Sequence, residues 1–100
     1  MRKPRYRESR VCRVLGNPVV YATILILKER GPTSQSDIAK AVRRRLPTMS
    51  GHLATLRGMD LVCYERKGGK TRYWLKHTQE TKRLLMALRA LIRVSRHMPG

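Results

Sequence analysis

The stretch SQSDIAKAVRRRLPTMSGHLATLR, Ser34 to Arg57, decides how the rest of the chain is read. It opens on a hydroxyl answered three residues later by an acid, Ser34 and Asp37, the pattern in which a cap side chain takes up a free N–H of a first helical turn. Ile38, Ala39 and Val42 follow at helical spacing, predicting a short helix that ends near Val42 or Arg43. In the second half Met49, Leu53 and Leu56 recur at i, i+4 and i+7, with Leu46 one turn earlier, so a further helix runs from Pro47 to about Arg57. Arginines 43 to 45 fill the short gap. Two short amphipathic helices across a tight polar turn make a helix-turn-helix.

Upstream, Asn17-Pro18 is a helix opening: asparagine caps free N–H groups and proline is pre-set for the first helical position. The body VVYATILILKER is rich enough in β-branched residues to pass for a strand. Its length and its stop, Lys28 and Arg30 followed by Gly31 and Pro32, favour a nearly all-round apolar, buried helix from Pro18 to Arg30. A first helix is expected from Glu8 or Ser9 to Leu15-Gly16, preceded by a flexible basic arm over residues 1–8.

Downstream, Leu61 to Arg66 and Thr71 to Leu75 are strand-like runs joined by Lys67-Gly68-Gly69-Lys70, whose paired glycines supply the positive φ of a tight turn. Thr78 opens a last helix reaching about residue 95, with Thr81, Leu84, Leu85, Leu88, Leu91 and Ile92 on one face and Lys82, Arg83, Arg89, Arg93 and Arg96 around it. Residues 96–100 are expected to fray. The order is α-α-α-α-β-β-α, mainly α with a small β-hairpin. Residues 9–95 thus read as one winged helix-turn-helix domain.

Charge points to the partner. There are 23 Lys and Arg against 6 Asp and Glu, a formal +17. Such a field favours polyanions, double-stranded DNA first among them. No apolar run approaches the roughly 20 residues of a membrane-spanning helix, so no membrane role is expected. No signal-peptide pattern follows the basic N-terminus, which suggests a cytoplasmic, nucleoid-associated protein. Two cysteines, Cys12 and Cys63, are too few for a disulfide scaffold or a closed zinc site and read as buried free thiols. Paired carboxylates, a phosphate-cradling glycine loop and a nucleophile with a base are not evident, so neither catalysis nor a cofactor or metal is expected.

In a helix-turn-helix the second helix lays its N-terminal and outward side chains along major-groove base edges. Those residues here are Pro47, Thr48, Ser50, Gly51, His52 and Thr55. Outward Thr, Ser and His are ordinarily just solvated. As a set they stand on a short helix poor in acids and preceded by Arg43, Arg44 and Arg45, which with Arg57 are candidates for the DNA backbone. Neither Arg45 nor Leu46 is a good cap, which leaves N–H groups open to a phosphate. Gly51 costs about 1 kcal/mol of helix stability relative to alanine, so it is either drift or room for close approach. Arg66, Lys67, Gly68, Gly69, Lys70 and Arg72 make a wing suited to a phosphate ridge or the minor groove, or merely a solubilising tip.

The last helix has little domain to bury its face in. Leu84, Leu85, Leu88, Leu91 and Ile92, together with Val11, Val14 and Leu15, suit pairing with a second copy, with an intrachain core as the alternative. The expected function is sequence-specific DNA binding as a homodimeric transcription regulator. A sequence-tolerant, chromatin-like binder is the first alternative, since counterion release alone would hold so basic a chain on DNA. A thiol-responsive regulator built on Cys12 and Cys63 is the second.

At these residues the chain resembles the ArsR-type winged-helix regulators. The resemblance runs through Leu15-Gly16-Asn17-Pro18, Leu27-Lys28-Glu29-Arg30-Gly31-Pro32 and Ser36-Asp37-Ile38-Ala39. It continues in Thr48-Met49-Ser50-Gly51-His52-Leu53-Ala54-Thr55-Leu56, Leu61-Val62 and the Gly-Gly wing with Arg72-Tyr73-Trp74-Leu75. It implies a homodimer joined through first and last helices, binding inverted repeats and usually repressing. The chain departs from the family's metal sensors. Ser34 to Val42 has no Cys-x-Cys pair, and His77, Glu80 and His97 do not match the spacing of the family's site on the last helix. Val20 also replaces a basic residue common after the Asn-Pro, and Gly51 stands where a polar side chain is usual.

Overall fold

The computed structural model describes residues 3–95 and residue 99. Its elements are α1 (Lys3–Leu15), α2 (Pro18–Arg30), β1 (Thr33–Ser34), α3 (Gln35–Val42), α4 (Leu46–Gly58), β2 (Val62–Lys67), β3 (Lys70–Leu75) and α5 (Thr78–Val94). The tail expected to fray, 96–100, lies outside the described residues apart from residue 99.

α2 has the limits its punctuation demands. Asn17 Oδ1 accepts from the N–H groups of Val19 and Val20 at 2.9 and 3.2 Å, and Gly31 stops the helix at φ 72°. Its burial is one-sided, a correction to the all-round reading: Val20, Thr23, Ile24 and Leu27 are buried, while Val19, Tyr21, Ala22, Leu25 and Ile26 are half-exposed. Thr23 is tolerated inside because its hydroxyl donates to Val19 O at 2.8 Å.

Two further readings are corrected, those of the first helix and of Leu46, and one, the hairpin, is extended. α1 begins at Lys3 and not near Glu8 or Ser9, so the stretch expected to be an arm is largely helical. Pro4 does not prevent this, because first-turn N–H groups have no intrahelical acceptor to lose. The hairpin is part of a three-stranded antiparallel sheet of order β1-β3-β2, with Thr33 opposite Tyr73 and Ser34 opposite Arg72. Leu46, expected to point inward with Met49 and Leu53, is 48% exposed.

The core lies between α2, α3, α4 and the sheet. Ile24, Leu27, Ile38, Met49, Leu53 and Leu56 are almost fully enclosed, and Val62, Tyr73 and Leu75 close it from the strands. Each such aliphatic side chain contributes about 1.5–3 kcal/mol of transfer free energy. α5 adds only Leu85 to this core. Among the described residues no single helix is long and apolar enough to cross a membrane.

Candidate nucleic-acid interface

The turn between α3 and α4 is held by backbone geometry. Ser34 Oγ accepts from Asp37 N at 3.1 Å and starts α3. At the other end Arg43 N donates to Lys40 O at 3.2 Å and Arg44 N to Ala39 O at 3.0 Å, the paired bonds of a Schellman stop. The stop places Arg43 in the left-handed region, φ 55° and ψ 50°, where glycine is usual. Arg44 folds back so that its guanidinium donates to Arg43 O at 3.0 Å. Arg45 is the N-cap of α4 and makes no side-chain capping bond. The first-turn N–H groups of α4 therefore have no side-chain cap, and three exposed arginines directly precede them in the chain.

Met49, Leu53 and Leu56 lock one side of α4 into the core, and this fixes what the other side displays. Pro47, Thr48, Ser50, Gly51 and Thr55 are exposed; His52 is half-buried. A Cβ on Gly51 would meet nothing within 4 Å, so the chain's own packing does not require glycine there. Thr55 donates to Gly51 O at 3.1 Å, a bond within its own helix.

The wing is a tight hairpin in the register Val62 to Leu75, Tyr64 to Tyr73 and Lys67 to Lys70, with Gly68 and Gly69 at φ 59° and 77°. Alternation puts Lys67, Lys70 and Arg72 on one face with Glu65, while Arg66 lies on the other. Lys70, Gly69 and Thr71 share a hollow of about 200 Å³ with Leu46 and with Ser34, Gln35 and Ser36. The wing tip and the N-terminal ends of α3 and α4 thus meet on one side of the molecule.

Arg57 does not join them. It lies at the far end of α4, roughly 17 Å along the axis from Leu46 at 1.5 Å per residue. Its guanidinium carbon sits 4.5 Å from the centroid of the Tyr64 ring, which in turn stacks on Tyr73 at 5.9 Å. The same end is tied by Asp60, in the left-handed region at φ 65°, to the β3–α5 connection. Lys76 Nζ donates to Asp60 Oδ1 at 2.5 Å, and His77 Nε2 lies 3.1 Å from Oδ2. These hydrogen bonds, Lys76 first, hold the Asp60 carboxyl below the usual carboxylate range, and Asp60 raises Lys76 in return. His77 thus faces Asp60.

Two residues that the sequence reading passed over belong to this face. Gln35, the first residue of α3, donates through Nε2 to Ser50 Oγ across the helix pair. Ala54 is exposed on α4 next to Thr55. A contact between residues fifteen apart leaves no periodic trace in the sequence, so Gln35 carried no local signal.

The eight candidates for a partner surface divide. Leu85 is 2% exposed and spent on the chain's own core, and Val11, Val14, Leu15 and Leu88 are half-buried. Leu84, Leu91 and Ile92 are exposed, the last two by 56% and 55%, as are Val94 beside them and Met86 on the other side of the helix. Cys12 is exposed on α1 and Cys63 half-buried in β2, where both were expected to be buried.

No protein-family model and no curated protein matches the chain by sequence. Solved structures do match. The homodimeric winged helix-turn-helix DNA-binding domain Mb0332 from Mycobacterium bovis, described as a possible ArsR-family transcriptional regulator, is 23% identical, with 94% of this chain and 87% of that one covered at a TM-score of 0.75. Rv0081 of M. tuberculosis is 21% identical, with 94% of each chain covered and a TM-score of 0.83. A transcriptional regulator homologue from Pyrococcus horikoshii OT3 is 23% identical, with 88% and 95% covered and a TM-score of 0.73. The fold is a winged helix-turn-helix.

Proposed function

We propose that the chain is a DNA-binding transcription regulator of the ArsR type, acting as a homodimer on inverted repeats and most simply as a repressor. One observation carries this reading. The wing tip at Gly69 and Lys70 shares a hollow with Leu46, the first residue of α4, and with the start of α3, so the uncapped N-terminus of α4, which follows three arginines, lies beside the Gly-Gly wing. Small side chains on α4 let the helix approach base edges, and the arginines and wing lysines meet the phosphates on either side of the groove. The apolar residues left open on α5, together with α1, serve the second protomer, as the homodimeric state of the mycobacterial neighbour supports.

The test is selection from a randomised duplex pool with the purified protein at about 0.15 M salt, where non-specific binding is partly screened. An enriched inverted repeat with half-sites about one helical turn apart is the expected result. The charge of +17 favours a second reading, sequence-tolerant binding of a chromatin-like kind. Tight, steeply salt-sensitive binding without enrichment would select that reading instead.

A further inference from the structure

We propose that Gln35, which lies outside α4, sets base preference by orienting the hydroxyl of Ser50, and that the pair reads adenine. The inference rests on the reading of α4 as the groove helix. Gln35 Nε2 donates to Ser50 Oγ. A serine hydroxyl has one hydrogen and two lone pairs, and here one lone pair is occupied by the amide. The hydroxyl hydrogen is then left for a partner other than Gln35, and Ser50 lies exposed on α4. Ser50 thus presents a donor, and Gln35 keeps Oε1 beside it as an acceptor. Thr55 is in the opposite condition, its hydrogen already given to Gly51 O.

A donor next to an acceptor selects among the major-groove edges. Adenine shows the N7 acceptor beside the N6 amino donor and satisfies both groups. Guanine shows two acceptors, so O6 would face Gln35 Oε1; cytosine shows its N4 donor to the Ser50 hydrogen, and thymine has no donor for Oε1. Gln35 is a positioning residue for Ser50 and reads through its own carbonyl as well. The half-buried start of α3 supplies a rigid mount, since Ser34 caps the helix and Ile38 anchors it in the core.

The experiment repeats the duplex selection with Gln35→Met, which keeps the length and loses the amide, with Ser50→Ala, and with the double variant. The wild type is expected to enrich adenine at one position of each half-site. Both single variants lose that preference, each weakening the selected site about five- to a hundredfold. The double variant loses no more than either alone, while preferences elsewhere and the salt dependence stay as in the wild type. Gln35→Lys keeps a donor for Ser50 without the acceptor, so it retains purine preference but no longer separates adenine from guanine. This variant also guards against a Met variant that fails to fold. A consensus intact in Gln35→Met but relaxed in Ser50→Ala, or a base other than adenine at the Ser50 position, overturns the inference alone. A wild-type pool with nothing enriched overturns the proposed function together with it.

Discussion

α4 and α5 both leave one side uncovered, and the two sides differ in kind. α4 buries Met49, Leu53 and Leu56 and shows solvent mainly small or polar groups. α5 is longer, buries only Leu85 and shows solvent Leu84, Met86, Leu91, Ile92 and Val94. Water solvates the first surface readily and the second poorly, since apolar area exposed in a row costs about 25 cal/mol per Å² that a partner could recover. A helix anchored by its core and polar outside suits a charged groove; one weakly anchored and apolar outside suits a copy of itself.

The largest expected effect breaks the anchoring of α4. Leu53→Ala should destabilise the domain by about 2–5 kcal/mol in denaturant unfolding, because the site is fully enclosed and leaves a cavity. On α5 the outcome should be different. Leu91→Glu with Ile92→Glu is expected to yield monomer by sedimentation and to weaken binding to an inverted repeat at least tenfold, with the helical content of the domain retained. A dimer that survives this pair would remove the partner role from α5.

The next effect separates stability from binding on one helix. Gly51→Ala should raise stability by roughly 0.5–1 kcal/mol, because alanine is the better helix former and its Cβ meets nothing in the chain. DNA affinity should fall in the same variant, since the added methyl holds the backbone off the groove. Equal or better DNA binding would mean that α4 does not approach DNA through Gly51.

Removing a wing cation, Lys67→Ala or Lys70→Ala, should lower the slope of log K against log salt by about 0.9 for each phosphate that is no longer neutralised, evenly across sequences. The smallest effect is at Asp60. Its carboxyl is held low by Lys76 and His77, so it favours the folded state above the ordinary carboxylate pKa, and this contribution disappears as pH falls through the lowered folded value. Thermal unfolding of Asp60→Asn should therefore lie slightly below the wild type at neutral pH and converge with it in acid, with DNA binding unaffected.

What the sequence shows about this fold follows its local chemistry. Asn17 and Gly31 bracket α2, Ser34 starts α3, and Gly68-Gly69 turns the hairpin, because each acts on N–H groups or φ values within a few residues. β1 was not legible: two residues make no alternation, and its pairing depends on the open edge of β3. The start of α1 was hidden by a proline that a first turn tolerates. In the candidate interface the α4 and wing residues could be read from periodicity and charge. Leu46 could not, since its spacing matches the buried stripe while the uncapped first turn leaves it outside. Nor could the placing of Arg57 on Tyr64 or of Gln35 on Ser50, both contacts between elements.

The contrast between α4 and α5 can be mapped on DNA with a tethered cleavage reagent. Ala54→Cys on α4 and Ala90→Cys on α5, both exposed, each in a chain carrying Cys12→Ser and Cys63→Ser, would be labelled with an iron chelate and bound to the selected duplex. Cleavage from position 54 is expected in the major groove of both half-sites, about one helical turn apart, with little from position 90. Cleavage spread evenly along the duplex from position 54, or equally strong from position 90, would contradict α4 as the groove helix and α5 as the partner surface.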